Sequence, residues 1–264
     1  MHFSELIQSG QKTRDDDTGL SFQVTEDWMQ GRTTYGGLTA AFCLQSALPL
    51  AGNRPLRSAQ IAFVGPVSGT VTCEAELLRE GKNTVFANVR MYGTDGLAAD
   101  AIFAFGKTRS SILDFSRLSA PAVTAPDETP SLFEERSARP GFTQNFNMRL
   151  ALGGRILSGS AEADISLWLR HKDIAVSIDP VSLLALADAP PPAAMSRLTA
   201  PTQVSSMTWM AEFLTDEIHT ENGWFLARHT ADTARQGYSS QSMTMWNTSG
   251  EPIMIGRQTI AVFG

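Results

Sequence analysis

A chain of 264 residues is long enough to bury one large core or two of roughly half that size. With 42% hydrophobic and 18% charged residues and a formal net charge of -6, it has the make-up of a soluble globular protein without the basic field that nucleic acid demands. No apolar run reaches membrane-spanning length, and Met1-His2-Phe3-Ser4-Glu5-Leu6 lacks the charged and apolar regions of a signal peptide. The expectation is a cytoplasmic protein that neither binds nucleic acid nor inserts into a membrane.

Residues 1–30 give a short amphipathic start, a polar loop over 12–18 and the alternating Leu20-Ser21-Phe22-Gln23-Val24, whose period of two predicts a strand. Gly31-Arg32-Thr33-Thr34-Tyr35-Gly36-Gly37 then leads into an apolar helix predicted over 38–48, ending before Pro49. With no side chains at Gly36 and Gly37, the helix N-terminus and its unpaired N–H groups can approach another backbone or a ligand, or simply pack closely. The segment is not a phosphate loop, because the Lys-Ser/Thr ending and the preceding parallel strand are missing. Strands are predicted over 58–64, 71–78, 84–92 and 97–106, with turns at Glu80-Gly81-Lys82 and Gly93-Thr94-Asp95-Gly96. Residues 109–139, rich in Ser, Ala and Pro, read as a linker over the surface.

After Pro140 the same order returns. Strands are predicted over 142–152 and 163–170, a helix over 180–189, and strands over 205–214, 224–232, 238–246 and 252–263. One helix followed by four meandering strands thus occurs twice, an architectural duplication that divides the chain into 1–112, a linker over 113–139, and 140–264.

The second helix carries the first chemical candidate. Asp179 is a good N-cap, Pro180 suits the first turn, and Pro190-Pro191-Pro192 stop the helix. At helical spacing Val181, Leu184, Ala185 and Asp188 share one face, so a carboxylate occupies a core slot. Desolvation raises the pKa of such a group, which suits a general base at a cleft; a frayed, solvated Asp would also fit this stretch alone. Laying the two halves together sets Asp188 on Gln45, and Gln258 on Ala101. Gln258 shares parity with Met254, Gly256, Ile260 and Val262, the inward face, where an amide needs partners. The second half is therefore the better equipped for base chemistry.

Other features carry no chemistry. Cys43 and Cys73 read as small buried hydrophobes in a reducing compartment, and His2, His171, His219 and His229 lack ligand spacing, so no metal is expected. No GxSxG surrounds any Ser.

Two helix-and-meander units joined by a linker resemble the double hotdog fold, an α+β architecture with two tandem repeats. Gly36-Gly37 before an apolar helix, Phe63-Val64-Gly65-Pro66, Leu184-Ala185-Leu186-Ala187-Asp188, Met207-Thr208-Trp209-Met210 and Gly256-Arg257-Gln258-Thr259-Ile260-Ala261-Val262 are similar to the type II acyl-CoA thioesterase (TesB-like) family. That resemblance implies hydrolysis of a fatty acyl-CoA without a cofactor, in a homo-oligomer. It implies an Asp on the second helix, a Ser or Thr on the following strand and a Gln on the last strand, jointly holding the attacking water. By position the Asp and the Gln are Asp188 and Gln258; the hydroxyl's own position falls on Gln203, with Thr202 beside it and Ser205 and Ser206 just beyond, so Ser205 or Thr202 would supply it. The family tends to have an acidic residue and a His where Ser205 and Ser206 stand. Gly36 and Gly37 would face the substrate, and Arg257 could meet the CoA phosphates, although isolated Arg residues near turns are ordinarily just solvated. A non-catalytic acyl-CoA binder and a hotdog hydratase or dehydratase are the rival expectations. The second normally needs a catalytic His with its carboxylate, and no His lies in the central helix.

Overall fold

The four strands predicted in each half form, but not as simple meanders: the first of each four, 56–63 and 204–213, pairs with the last rather than with the second, and these two strands join edge to edge so that both halves share one sheet. The computed structural model describes residues 1–15, 18–133 and 139–263. In chain order the elements are α1 (Phe3–Gln8), β1 (Gln11–Lys12), β2 (Gly19–Gln23), β3 (Met29–Gln30), β4 (Thr33–Thr34), α2 (Gly36–Ala51), β5 (Leu56–Phe63), β6 (Thr70–Glu80), β7 (Thr84–Gly93) and β8 (Gly96–Gly106). The second half continues with β9 (Phe146–Gly153), β10 (Asp164–His171), α3 (Pro180–Ala187), β11 (Val204–Phe213), β12 (Phe225–Arg235), β13 (Tyr238–Trp246) and β14 (Pro252–Val262).

Among the described residues these strands make a 12-stranded sheet in the order β1-β2-β6-β7-β8-β5-β11-β14-β13-β12-β10-β9, beside a small β3-β4 pair. Read inward from either end, β2-β6-β7-β8-β5 and β10-β12-β13-β14-β11 have the same order, so the duplication inferred from the sequence is an approximate two-fold symmetry. Its axis passes where β5 meets β11 antiparallel, with Ile61 opposite Trp209. Each half wraps its antiparallel strands around one helix, which makes the molecule an α+β double hotdog.

The two central helices are apolar on every side because sheet or helix surrounds them on every side. Leu38, Ala40, Ala41, Phe42, Cys43, Leu44 and Ala47 of α2 are fully buried, as are Leu184 and Ala185 of α3. α3 begins as its sequence predicts: Asp179 Oδ1 accepts from the Ser182 N–H at 2.9 Å, with Pro180 in the first turn. α2 and α3 cross closely at Gly37, where a Cβ would lie 2.8 Å from the Ala185 carbonyl oxygen. Tyr35 fastens the crossing, its hydroxyl donating to that carbonyl at 2.7 Å while its ring stacks on Phe142.

Two local expectations differ from the structure. α2 does not stop at Leu48 but runs through Pro49 to Ala51. Proline's fixed φ is helical, and so near the end its missing N–H costs little. Residues 141–145 form a turn of 3-10 helix rather than the start of a strand, with the Thr143 hydroxyl bonded to the Pro140 carbonyl at 2.7 Å. Residues 109–133 run over the surface, where Trp168 and Trp246 donate their indole N–H groups to the carbonyls of Thr124 and Leu118 at 2.9 and 2.8 Å. These contacts hold them against an apolar cluster of Trp168, Trp224, Leu226 and Trp246 on the outer face of the second half.

Candidate active site

Asp188 ends α3 as its C-cap, where the three following prolines prevent another turn. The carboxylate stands at the start of α2. A Cβ on Gly36 would be 2.7 Å from Asp188 Oδ2, and the Gly37 N–H donates to the carboxylate. The site is therefore built across the two halves, with glycines from the first and the acid from the second. Asp188 is half-buried. Burial raises its carboxyl from 3.8 to about 7, opposed by the Gln258 amide and the Gly37 N–H, which both favour the charged form. Tyr35, close by and buried, is pushed well above its ordinary 10 by burial and by the Asp188 charge.

Gln258, on the inward face of β14, is 5% exposed and fully engaged. Its Nε2 donates to Asp188 Oδ1 and to Ser206 Oγ, each at 2.8 Å, and its Oε1 accepts from Gln241 Nε2 at 2.8 Å. Gln241, on β13, in turn accepts the Ala193 N–H at 3.0 Å and directs its Nε2 toward His229 Nδ1, on β12, at 3.3 Å. Burial drives His229 down to about 4, so its ring is neutral at ordinary pH.

Beside these groups a cavity of about 270 Å³ is lined by Gly36, Thr39, Phe63, Val67, Val204 and Ser206, among others. Its wall mixes apolar side chains with the hydroxyls of Thr33, Thr34, Thr39, Ser205 and Ser206. A wider depression of about 550 Å³ lies mostly on the opposite face of the central strands, with Gln60, Ile102, Thr208 and Met210 on its wall. It is larger and Gln258 borders it, whereas Asp188 stands directly behind Gly36 on the wall of the smaller cavity.

The sequence-derived set is thus partly brought together. Asp188, Gln258, Gly36 and Gly37 converge. The hydroxyl bonded to Gln258 is that of Ser206, and the expected Ser205 lines the smaller cavity beside it. A bulge between Ser206 and Thr208 inserts one residue into β11 and reverses its alternation, so Ser206 turns inward with Trp209 while Ser205 is exposed. Thr202 precedes the strand altogether. Arg257 also departs from expectation. As the neighbour of Gln258 on a strand it must face the other side of the sheet, where it bonds Asp232 Oδ2 at 2.7 Å and Ser240 Oγ at 3.1 Å. Gln241 is not singled out in the sequence and His229 only as lacking ligand spacing, although the parity that singles out Gln258 on β14 applies equally to Gln241 between Ser239 and Met243. Among the described residues no group of three or more His, Cys, Asp or Glu side chains could hold a metal ion, and no helix is long and apolar enough to cross a membrane.

Among solved structures, the chain superimposes along its whole length on a conserved hot dog protein of unknown function from Alicyclobacillus acidocaldarius, with a TM-score of 0.88, 20% identity and 99% of that chain covered. The tesB protein of Mycobacterium avium subspecies paratuberculosis matches with a TM-score of 0.80 and 17% identity over 99% of this chain and 98% of that one. Acyl-CoA thioesterase II TesB2 of Mycobacterium marinum matches with a TM-score of 0.77 and 17% identity over 98% of both. At these identities the likeness is one of fold. No curated protein sequence matches significantly. The family models are more specific: that of the acyl-CoA thioesterase N-terminal domain matches residues 24–106, and that of the C-terminal domain matches residues 119–262. Together they span most of the chain, which therefore belongs to the acyl-CoA thioesterase family of thioester hydrolases.

Proposed function

We propose that this protein hydrolyses fatty acyl-CoA thioesters with Asp188 as general base. The observation that carries the reading is the Asp188 carboxyl itself, raised to about 7, hydrogen-bonded to a buried amide and standing against a glycine at a cavity wall. A group with a pKa near the working pH is the best compromise between being deprotonated and being basic. A water held by Asp188 and Ser206, with Gln258 fixing both, gives its proton to Asp188 as its oxygen attacks the thioester carbonyl carbon. A backbone N–H of the first turn of α2 would polarise the carbonyl oxygen. The tetrahedral intermediate then expels the CoA sulfur, which takes the proton back from Asp188, leaving a free carboxylic acid and the CoA thiol. Every atom of the added water is accounted for, and the chain's own groups suffice for each proton transfer.

A hydratase or dehydratase would need an imidazole at the carboxylate. The nearest imidazole in the network, His229, meets Gln241 instead. A pure acyl-CoA binder is disfavoured by the Ser206 hydroxyl, which completes the polar set. The deciding experiment is thiol release from short, medium and long acyl-CoAs by the wild type, Asp188→Asn and Gln258→Ala. Turnover on some chain length that falls by at least about 10²-fold in both folded variants supports the reading. Binding without turnover by the wild type would replace it with the binder.

A further inference from the structure

Three buried polar side chains of the second half occupy positions whose symmetry mates in the first half are apolar. Ala101 lies opposite Ile61, and Gln258 lies opposite Trp209, the symmetry mate of Ile61, so Ala101 and Gln258 correspond. On the neighbouring strands Val89 faces Ala101 as Gln241 faces Gln258. One strand further out, Cys73 pairs with Met91 as His229 pairs with Met243. The fold is thus built once with Ala101, Val89 and Cys73 and once with Gln258, Gln241 and His229, all buried. Packing does not require the polar set, so its cost must be met by something else it does.

Its hydrogen bonds have a single consistent direction. An amide side chain has one accepting and one donating end, and rotating it by half a turn exchanges them. After Pro190-Pro191-Pro192, which carry no N–H groups, Ala193 offers the first backbone donor, and Gln241 Oε1 accepts it. That contact turns Gln241 Nε2 toward Gln258 Oε1, and the remaining N–H of Gln241 toward the bare Nδ1 of a neutral His229. Gln258 must then direct both N–H bonds at Asp188 and Ser206. Reversing any member would set donor against donor or oxygen against oxygen.

Resting on the assignment of Asp188 as base, we infer that Gln241, held by the Ala193 N–H and His229, is a positioning residue that fixes which end of the Gln258 amide faces the catalytic carboxylate. Gln241 touches neither Asp188 nor the cavity; it acts through Gln258. The titratable groups around this chain other than Asp188 are Tyr35 and His229, which change charge well above and well below neutrality, so an inflection near 7 reports Asp188.

The test measures pH profiles of kcat and KM for the wild type, Gln241→Met and Gln241→Glu, with Ser239→Ala as a control on the same inward face of β13. Met removes the donor without adding charge at a site whose symmetry mate is Val89, so the variant keeps its fold. Glu puts a second oxygen where Gln241 has its amide nitrogen and, once ionised, would turn the Gln258 amide round. With Gln258 free to turn or turned, Asp188 loses a donor that lowers its pKa. The expected result is a kcat at least about tenfold lower in both variants, a KM within about twofold, and an inflection raised by about one pH unit, while Ser239→Ala matches the wild type. Folded Gln241→Met with its inflection unmoved overturns the inference, whether kcat is kept or lost, because a merely structural role would leave the Asp188 titration where it was. If instead the wild type shows no inflection near 7, or Asp188→Asn stays active, the base assignment itself fails.

Discussion

Gly36 and Asp188 meet across the gap between the two halves so closely that a Cβ on Gly36 would stand 2.7 Å from Asp188 Oδ2 and 3.3 Å from the Phe63 ring. The carboxylate can stand where it does only while residue 36 has no side chain. Gly36→Ala should therefore displace the carboxylate by rotation, since the obstructed atom is the end of a side chain. A displacement of this size lowers kcat by on the order of 10²-fold while the unfolding midpoint hardly changes. Thiol release and thermal melting of the same sample check both halves of the expectation, and full activity in the variant would mean that Asp188 need not stand there.

Gly37→Ala should behave in the opposite way. Its Cβ would meet a backbone oxygen of the other helix, Ala185 O, at 2.8 Å, and backbone cannot swing aside. The helix crossing must open, at a cost of about 1–3 kcal/mol. Urea titration should show a lower midpoint with an unchanged slope, and stability equal to wild type would mean that the crossing has slack.

The raised carboxyl gives activity and stability opposite dependences on pH. Base catalysis needs the ionised form, so kcat should climb with an inflection near the value of about 7. The folded state, however, holds the proton more tightly than the unfolded chain, whose carboxyl has the ordinary 3.8. The stability this provides is complete below the unfolded value and is lost as pH rises through about 7. Asp188→Asn has no such proton to lose. Its stability advantage over the wild type should grow across that window, and a constant difference in denaturation free energy would show that the carboxyl is not raised.

The bulge in β11 predicts which serine matters. Ser206→Ala removes a hydrogen bond worth about 1 kcal/mol and should slow turnover roughly fivefold, whereas Ser205→Ala and Thr202→Ala should stay within about twofold of wild type. Single-variant kinetics on the best acyl-CoA decide it: a loss confined to Ser205→Ala would mean that the alternation does not reverse at Met207.

Much of this site could be read in the sequence because regular periodicity carried it. Asp188 stood out against an apolar helical face, and Gln258 against an apolar strand face and against Ala101 at the matching place in the first half. Ser206 could not be read the same way. A bulge adds a residue without a sequence signature here, and every alternation beyond it is reversed. Arg257 is a different case, since the parity that turns Gln258 inward turns its neighbour outward, and the same rule applied once more would have removed it. The short β3-β4 pair lies in the glycine-containing approach to α2, where no run is long enough to show a period.

The seam at β5 and β11 makes the chain behave as a dimer whose two subunits can never dissociate. An ordinary symmetric pair must carry every functional group twice, because one gene specifies both copies. Here the two copies vary separately, and the first has taken Ala101, Val89 and Cys73 where the second has Gln258, Gln241 and His229. On the proposed reading, saturating binding should reach one substrate per chain rather than two. The two halves then divide their labour: one contributes the wall of glycines and a plain hydrophobic interior, the other the acid and the amides that aim it.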